Sequence, residues 1–192
     1  RHLLTQHLAA ITDLDWSPDG TVLASASRDM TVHLWDAQGT RQQVLEHSDQ
    51  VRMVVWSPDG HYLATVSADN IIWVWQVSSG TPLRKIERSA VQLGWHPRQP
   101  VLAVCDEKTI LYDIERGGKR ELQGHVAAWS PDGKTLVTGS YDGIHWWNMD
   151  GAHRGTVTEH RDMVSLLAWQ QRPQRALLAS AAEDGSICLW NA

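Results

Sequence analysis

At 192 residues the chain is long enough for one domain with a continuous core, and 42% hydrophobic with 20% charged residues is ordinary for a globular protein. A formal charge of −5, with 17 basic residues scattered and never in a run, argues against nucleic-acid binding, which needs a basic stripe. No apolar stretch approaches the roughly 18 residues of a membrane span, and Arg1-His2-Leu3-Leu4 does not open a signal peptide. Cys105 and Cys188 occupy different places in the repeat described below and read as two small apolar residues, which points to a reducing, cytoplasmic setting.

Taken in chain order, Leu3-Leu4-Thr5-Gln6 aligns with the last strand of a repeating unit, because Leu4 lies three residues before a histidine, as Val44, Leu122 and Val157 do. The first full copy, 7–46, carries Trp16-Ser17-Pro18-Asp19-Gly20, then Leu23 to Asp29, then Leu34-Trp35-Asp36. The second, 47–86, repeats that shape from Trp56 to Trp75. In it Val51, Met53 and Val55 alternate with Gln50, Arg52 and Val54, a period of two that predicts a strand. Ser57-Pro58-Asp59-Gly60 predicts a tight turn, since Pro presets φ and Gly tolerates a positive one. Tyr62–Ser67 and Ile71–Trp75 follow as second and third strands, and Pro82–Ile86 as a more polar fourth.

The third and fourth copies, 87–124 and 125–159, are degenerate. In the third, Ser89 or a close neighbour stands in the place of the histidine, Val101–Asp106 is short, and Tyr112 replaces the tryptophan. In the fourth, His125 precedes Trp129 by four residues where the other copies have nine, which removes the leading turn and half of the innermost strand. The fifth copy, 160–192, ends on a third strand at Leu189-Trp190-Asn191. The lead tryptophans Trp16, Trp56, Trp95, Trp129 and Trp169 are spaced 40, 39, 34 and 40 residues apart, the mark of a repeat architecture.

Four short antiparallel strands per copy cannot bury two faces alone, so the sheets must stack, which predicts an all-β propeller of five four-stranded blades in one domain, 1–192. Residues 1–6 would supply the missing outer strand of the last blade and close the ring, although a five-unit excerpt of a larger ring would end in the same way. The lead tryptophans, together with Trp35, Trp75, Trp147, Trp190 and Tyr112, are expected between blades as core.

The S-P-D-G turns, the L-A-(S/T)-x-S-x-D segments, a histidine nine residues before the lead tryptophan, and Leu-Trp-Asp at 34–36 or Leu-Trp-Asn at 189–191 together resemble the WD-repeat (WD40) β-propeller family across essentially the whole chain. The resemblance implies a structural brace in each blade, with indole N–H bonded to hydroxyl, hydroxyl to imidazole and imidazole to carboxylate. By position these are His7, Ser25, Asp29 and Trp35; His47, Thr65, Asp69 and Trp75; His125, Thr138, Asp142 and Trp147; His160, Ser180, Asp184 and Trp190. Serine, histidine and aspartate also invite a catalytic reading. A constellation recurring once per copy is a scaffold device, however, and no G-x-S-x-G elbow accompanies it. No catalytic residue and no cofactor is expected. His2, His33, His61, His96, His145 and His153 show no metal-ligand spacing, with His96 near Cys105 the one loose candidate.

In a meander, the turn after each fourth strand and the turn between second and third strands fall on one edge. The residues that the resemblance carries to this rim are Ala10, Thr12 and Arg28; Gln50, Arg52 and Ala68; Tyr141; Met163, Ser165 and Glu183. They differ between copies, and arginine, tyrosine and methionine are enriched at interfaces. The function expected is a non-enzymatic scaffold that binds a protein or peptide on this rim, with no nucleic-acid or membrane partner. A docking module of a larger regulatory protein is the nearest alternative; a hydrolase or sugar-binding propeller would need features absent from the repeats.

Overall fold

A computed structural model describes residues 3–170 and 177–191, and in them the only regular secondary structure is β: nineteen strands in five antiparallel sheets, one per copy. The chain divides into two compact units, 1–90 and 91–192. The first unit holds β1 (Ile11–Trp16), β2 (Val22–Ser27), β3 (Thr31–Asp36) and β4 (Arg41–Glu46) in one sheet, in that order. Its second sheet joins β5 (Val51–Trp56), β6 (Tyr62–Ser67), β7 (Ile71–Gln76) and β8 (Thr81–Glu87).

The second unit begins with β9 (Gln92–Trp95), β10 (Val101–Cys105), β11 (Thr109–Asp113) and β12 (Lys119–Leu122), so the third copy keeps four strands at reduced length. The fourth copy forms β13 (Val126–Trp129), β14 (Thr135–Ser140), β15 (Gly143–Asn148) and β16 (His153–Val157). The last sheet has three strands, β17 (Val164–Trp169), β18 (Leu177–Ala182) and β19 (Ile187–Asn191). Of the segment expected as a closing strand, the described residues 3–6 lie in no strand, and Leu3 and Leu4 are exposed. The chain is tied down just beyond it, where Leu8 N donates to Asp29 Oδ2 at 2.8 Å. Arg1 and His2 lie outside the described residues.

The S-P-D-G turns share one construction. Gly20 N donates to Ser17 O at 2.8 Å, Ser17 Oγ donates to Asp19 Oδ1 at 2.6 Å, and Val22 N donates to Ser17 Oγ at 2.9 Å. Ser57 and Ser130 repeat the pattern, with Gly60 and Gly133 at φ of 73° and 74°, a region that an L side chain rarely adopts. In the third copy His96 takes the place of the serine: its Nδ1 accepts from Arg98 N and Gln99 N at 3.0 and 2.9 Å, and Nε2 donates to Gly133 O at 2.9 Å. Both ring nitrogens are thus occupied by main chain, and His96 is a turn residue with no nitrogen left for a metal.

The alternation read from Val51, Met53 and Val55 is corrected by a bulge. A register shift between Val51 and Met53 adds one residue to β5, so the buried set is Val51, Val54 and Trp56. The same shift occurs in β1 and β17. In unit one these three side chains of β5 pack on Ala24, Ala26, Val32 and Leu34 of the neighbouring sheet. Full burial of such an indole is worth roughly 4–6 kcal/mol as an upper bound. Trp16 departs from the expected core layer, at 51% exposed against 6% for Trp56.

The lead indoles follow a rule invisible in the sequence. Trp56 Nε1 donates to Asp15 O at 3.2 Å, Trp129 Nε1 to Gly94 O at 3.3 Å, and Trp169 Nε1 to Ala128 O at 3.1 Å. Each acceptor is the carbonyl immediately before the previous copy's lead tryptophan. Unit one adds side-chain ties, since Asp13 and Asp15 accept from Val54 N and Trp56 N at 2.9 and 2.7 Å.

Candidate interaction surface

The first copy assembles the whole brace. Trp35 Nε1 donates to Ser25 Oγ at 2.8 Å, His7 Nε2 meets Ser25 Oγ at 2.7 Å, and His7 Nδ1 lies 2.8 Å from Asp29 Oδ2. Burial acts to raise the Asp29 carboxyl, but donors from Thr31, Leu8 and His7 outweigh it and hold the group well below the usual carboxylate range. His33 stacks on His7 with ring centroids 3.7 Å apart, and desolvation pushes it down to about 4, so it is neutral at pH 7.

The second copy keeps half of this network. Trp75 Nε1 and His47 Nε2 both reach Thr65 Oγ1, at 3.1 and 2.8 Å, but His47 Nδ1 donates to Leu45 O at 3.2 Å. The expected His47–Asp69 link is not made; Asp69 accepts instead from Ser48 and Ser67. With no carboxylate on the ring, burial dominates and lowers His47 to about 4. In the fifth copy His160 Nε2 meets Ser180 Oγ at 2.7 Å, and Trp190 Nε1 donates to the same oxygen at 2.8 Å. Ser186 Oγ stands 2.7 Å from His160 Nδ1, whereas Asp184 Oδ2 is 3.9 Å away, so a hydroxyl intervenes before the carboxylate. Hydrogen bonds from the Ser186 side chain and from Arg161 N lower Asp184 to about 2.

The fourth copy is rewired. Trp147 Nε1 still donates to Thr138 Oγ1 at 2.9 Å, but Thr138 donates to Gln123 O at 2.6 Å. His125 therefore does not join the brace, and its Nε2 is buried without a hydrogen-bond partner. The shortened lead-in explains this. Gly124, at φ 110°, passes so close to Thr138 that an added Cβ would lie 2.6 Å from the Thr138 Cβ, in the space an imidazole would need. Asp142 is met by Ser140 Oγ, by Gln123 Nε2 at 2.7 Å and by His145 Nε2 at 3.0 Å. His145 carries no expectation from the repeat, yet a signal existed: it lies two residues before its tryptophan, as His33 does.

Within three copies, two of the expected rim residues are paired by a recurring main-chain bond. Arg28 N donates to Ala10 O at 2.9 Å, Ala68 N to Gln50 O at 2.8 Å, and Glu183 N to Met163 O at 3.0 Å. Two of the side chains are committed internally: Thr12 Oγ1 donates to Val51 O at 2.6 Å, and Arg52 Nη2 reaches Ser67 O and Asn70 Oδ1, both at 3.1 Å. Ser165 Oγ points to Ala181 O at 3.4 Å. Arg28, Gln50 and Glu183 are exposed, and Tyr141 is 75% exposed. Tyr141 and Met163 line a cavity of about 970 Å³ in unit two, beside His125 and Asp142.

Among the described residues no cluster of three or more His, Cys, Asp or Glu could hold a metal ion, and no helix is long and apolar enough to cross a membrane. Cys105 and Cys188 are not joined in a disulfide. Comparison with known proteins gives a consistent picture. The chain is 25% identical over 239 aligned positions to the Arabidopsis thaliana protein named transcriptional corepressor LEUNIG_HOMOLOG, covering 96% of this chain and 30% of that one. It is 26% identical over 214 positions to Mus musculus Striatin-4, covering 95% and 28%. A 65-residue stretch is 35% identical to the mouse F-box-like/WD repeat-containing protein TBL1X, covering 33% of this chain and 12% of that protein. The chain thus spans less than a third of the length of these relatives. The family described as WD domain, G-beta repeat matches residues 1–36, 39–76, 119–144 and 151–191, leaving out most of the degenerate third copy. With more than half of its length so matched, the chain belongs to the WD-repeat family.

Proposed function

We propose that this chain is a non-catalytic interaction scaffold which binds a protein or peptide on the edge where the turns between second and third strands meet the lead-in segments. The carrying observation is the recurring bond that pairs Ala10 with Arg28, Gln50 with Ala68 and Met163 with Glu183: the backbone is constant and the side chains are not. A surface maintained for packing would hold its residue types; one read by a partner varies them. The serine and threonine hydroxyls argue in the same direction against hydrolysis. Ser25, Thr65 and Ser180 are buried and already engaged by an indole and an imidazole, leaving no approach for a substrate carbonyl.

The printed names of the longer relatives, a transcriptional corepressor among them, support a docking role within a larger regulatory chain. Cys105 and Cys188, which read as two small apolar residues at different places in the repeat, support a reducing, cytoplasmic setting. The test is affinity capture from native lysate with the combined variant Arg28→Ala, Arg52→Ala and Tyr141→Ala. A Gln38→Ala, His61→Ala variant, altered on the opposite turns, serves as control. Partners recovered by wild type and control should be lost from the triple variant; unchanged recovery would place binding elsewhere.

A further inference from the structure

We infer that the cavity at the fourth copy receives the cationic side chain of a lysine or arginine from a partner peptide, a reading that rests on the interaction role above and names the chemistry of one subsite. The cavity lies where the fourth copy is short. β13 has four residues where β1, β5 and β17 have six, and the leading turn that would cover this edge is missing. What remains is a concavity of about 970 Å³ with Tyr141 and Met163 on its wall.

Its lining is acidic. Asp106, Glu107, Glu121 and Asp142 contribute four carboxylates against the single cation Lys108, which is ion-paired with Glu121. The hydrogen bond from Ser140 is the largest of the influences that hold the Asp142 carboxyl below its ordinary range, so the group is charged at neutral pH. The open tyrosine ring offers a face for a cation, and Met163 with Leu122 offers apolar surface for the methylene stem behind it. His125 also borders the cavity, its ring centroid 5.9 Å from that of Tyr141. An anionic side chain would be repelled by the carboxylates, and a purely apolar one would leave them without a counter-charge.

The test is an ¹⁵N NMR titration of the whole chain with N-acetyl-arginine-N-methylamide and its lysine equivalent. The isosteric but neutral citrulline compound and the norleucine compound are the comparators. The cationic probes should shift the amides of Gly124, Glu107 and Tyr141 saturably, with citrulline roughly tenfold weaker, as expected for loss of charge-assisted hydrogen bonding. Glu107→Gln and Tyr141→Ala, both exposed turn positions, should each weaken the arginine probe about threefold, whereas Glu46→Gln in the other unit should not. Equal shifts with citrulline or norleucine, shifts spread over acidic surface in residues 1–90, or no shift at all would each overturn the assignment. If rim variants abolish capture while the probes fail, the cavity chemistry is wrong and the scaffold role stands. If capture is unaffected, the rim assignment falls and binding lies elsewhere.

Discussion

The first and fourth copies share a histidine, a hydroxyl, an aspartate and a tryptophan in the same order, and they do different things with them. In the first copy Asp29, 9% exposed at its side chain, gathers Leu8 N, Thr31 and His7 around one buried carboxylate. In the fourth, Asp142 is 58% exposed at its side chain and is served by Gln123, Ser140 and His145, while the histidine of the motif has no partner at Nε2. The same residue types therefore form a closed internal network in one place and border an open cavity in the other. Chain length before the innermost strand decides between them.

The largest contrast should appear at the carboxylates. Asp29→Ala strips the acceptor from several buried donors and should cost about 3 kcal/mol of unfolding free energy, whereas Asp142→Ala should cost about 1 kcal/mol. Urea unfolding of the two variants measures this, and equal costs would break the distinction between closed and open networks. The histidines come next. His7→Ala should destabilise by about 2 kcal/mol and His125→Ala by less than about 0.5 kcal/mol, because only the first removes hydrogen bonds.

A smaller effect concerns pH. Burial depresses His33 and His47 from 6.5 to about 4, so between those values the unfolded chain binds more protons than the folded one. Their contribution is complete above pH 6.5 and is lost as pH falls toward 4, with a slope of at most about 1.4 kcal/mol per pH unit for each histidine. His47→Gln should flatten that part of the stability profile; a profile level from pH 7 to 4 would mean that these rings are solvated.

Much of this was legible in the residues. The lead tryptophans and S-P-D-G turns mark five copies, and period-two alternation marks the strands, because turn chemistry and indole burial are local demands. The missing residues after His125 were also plain, and with them the irregularity of the fourth copy. The bulges in β1, β5 and β17 were not. One extra residue opposite a partner strand leaves composition unchanged yet moves the buried face from Met53 and Val55 to Val54 and Trp56. Nor could spacing foretell that His47 Nδ1 takes the Leu45 carbonyl while Asp69 accepts from Ser48 and Ser67. Position paired Arg28 with Ala10, Ala68 with Gln50 and Glu183 with Met163, but it could not show that Thr12 and Arg52 already bond to their own chain.

The indole bond from one copy to the next has a consequence for how such chains diversify. It terminates on main-chain oxygen, and the residues that supply that oxygen are an aspartate, a glycine and an alanine. A joint that ignores side-chain identity tolerates drift on its receiving half, so one copy can be duplicated, exchanged or pruned without redesigning its neighbour.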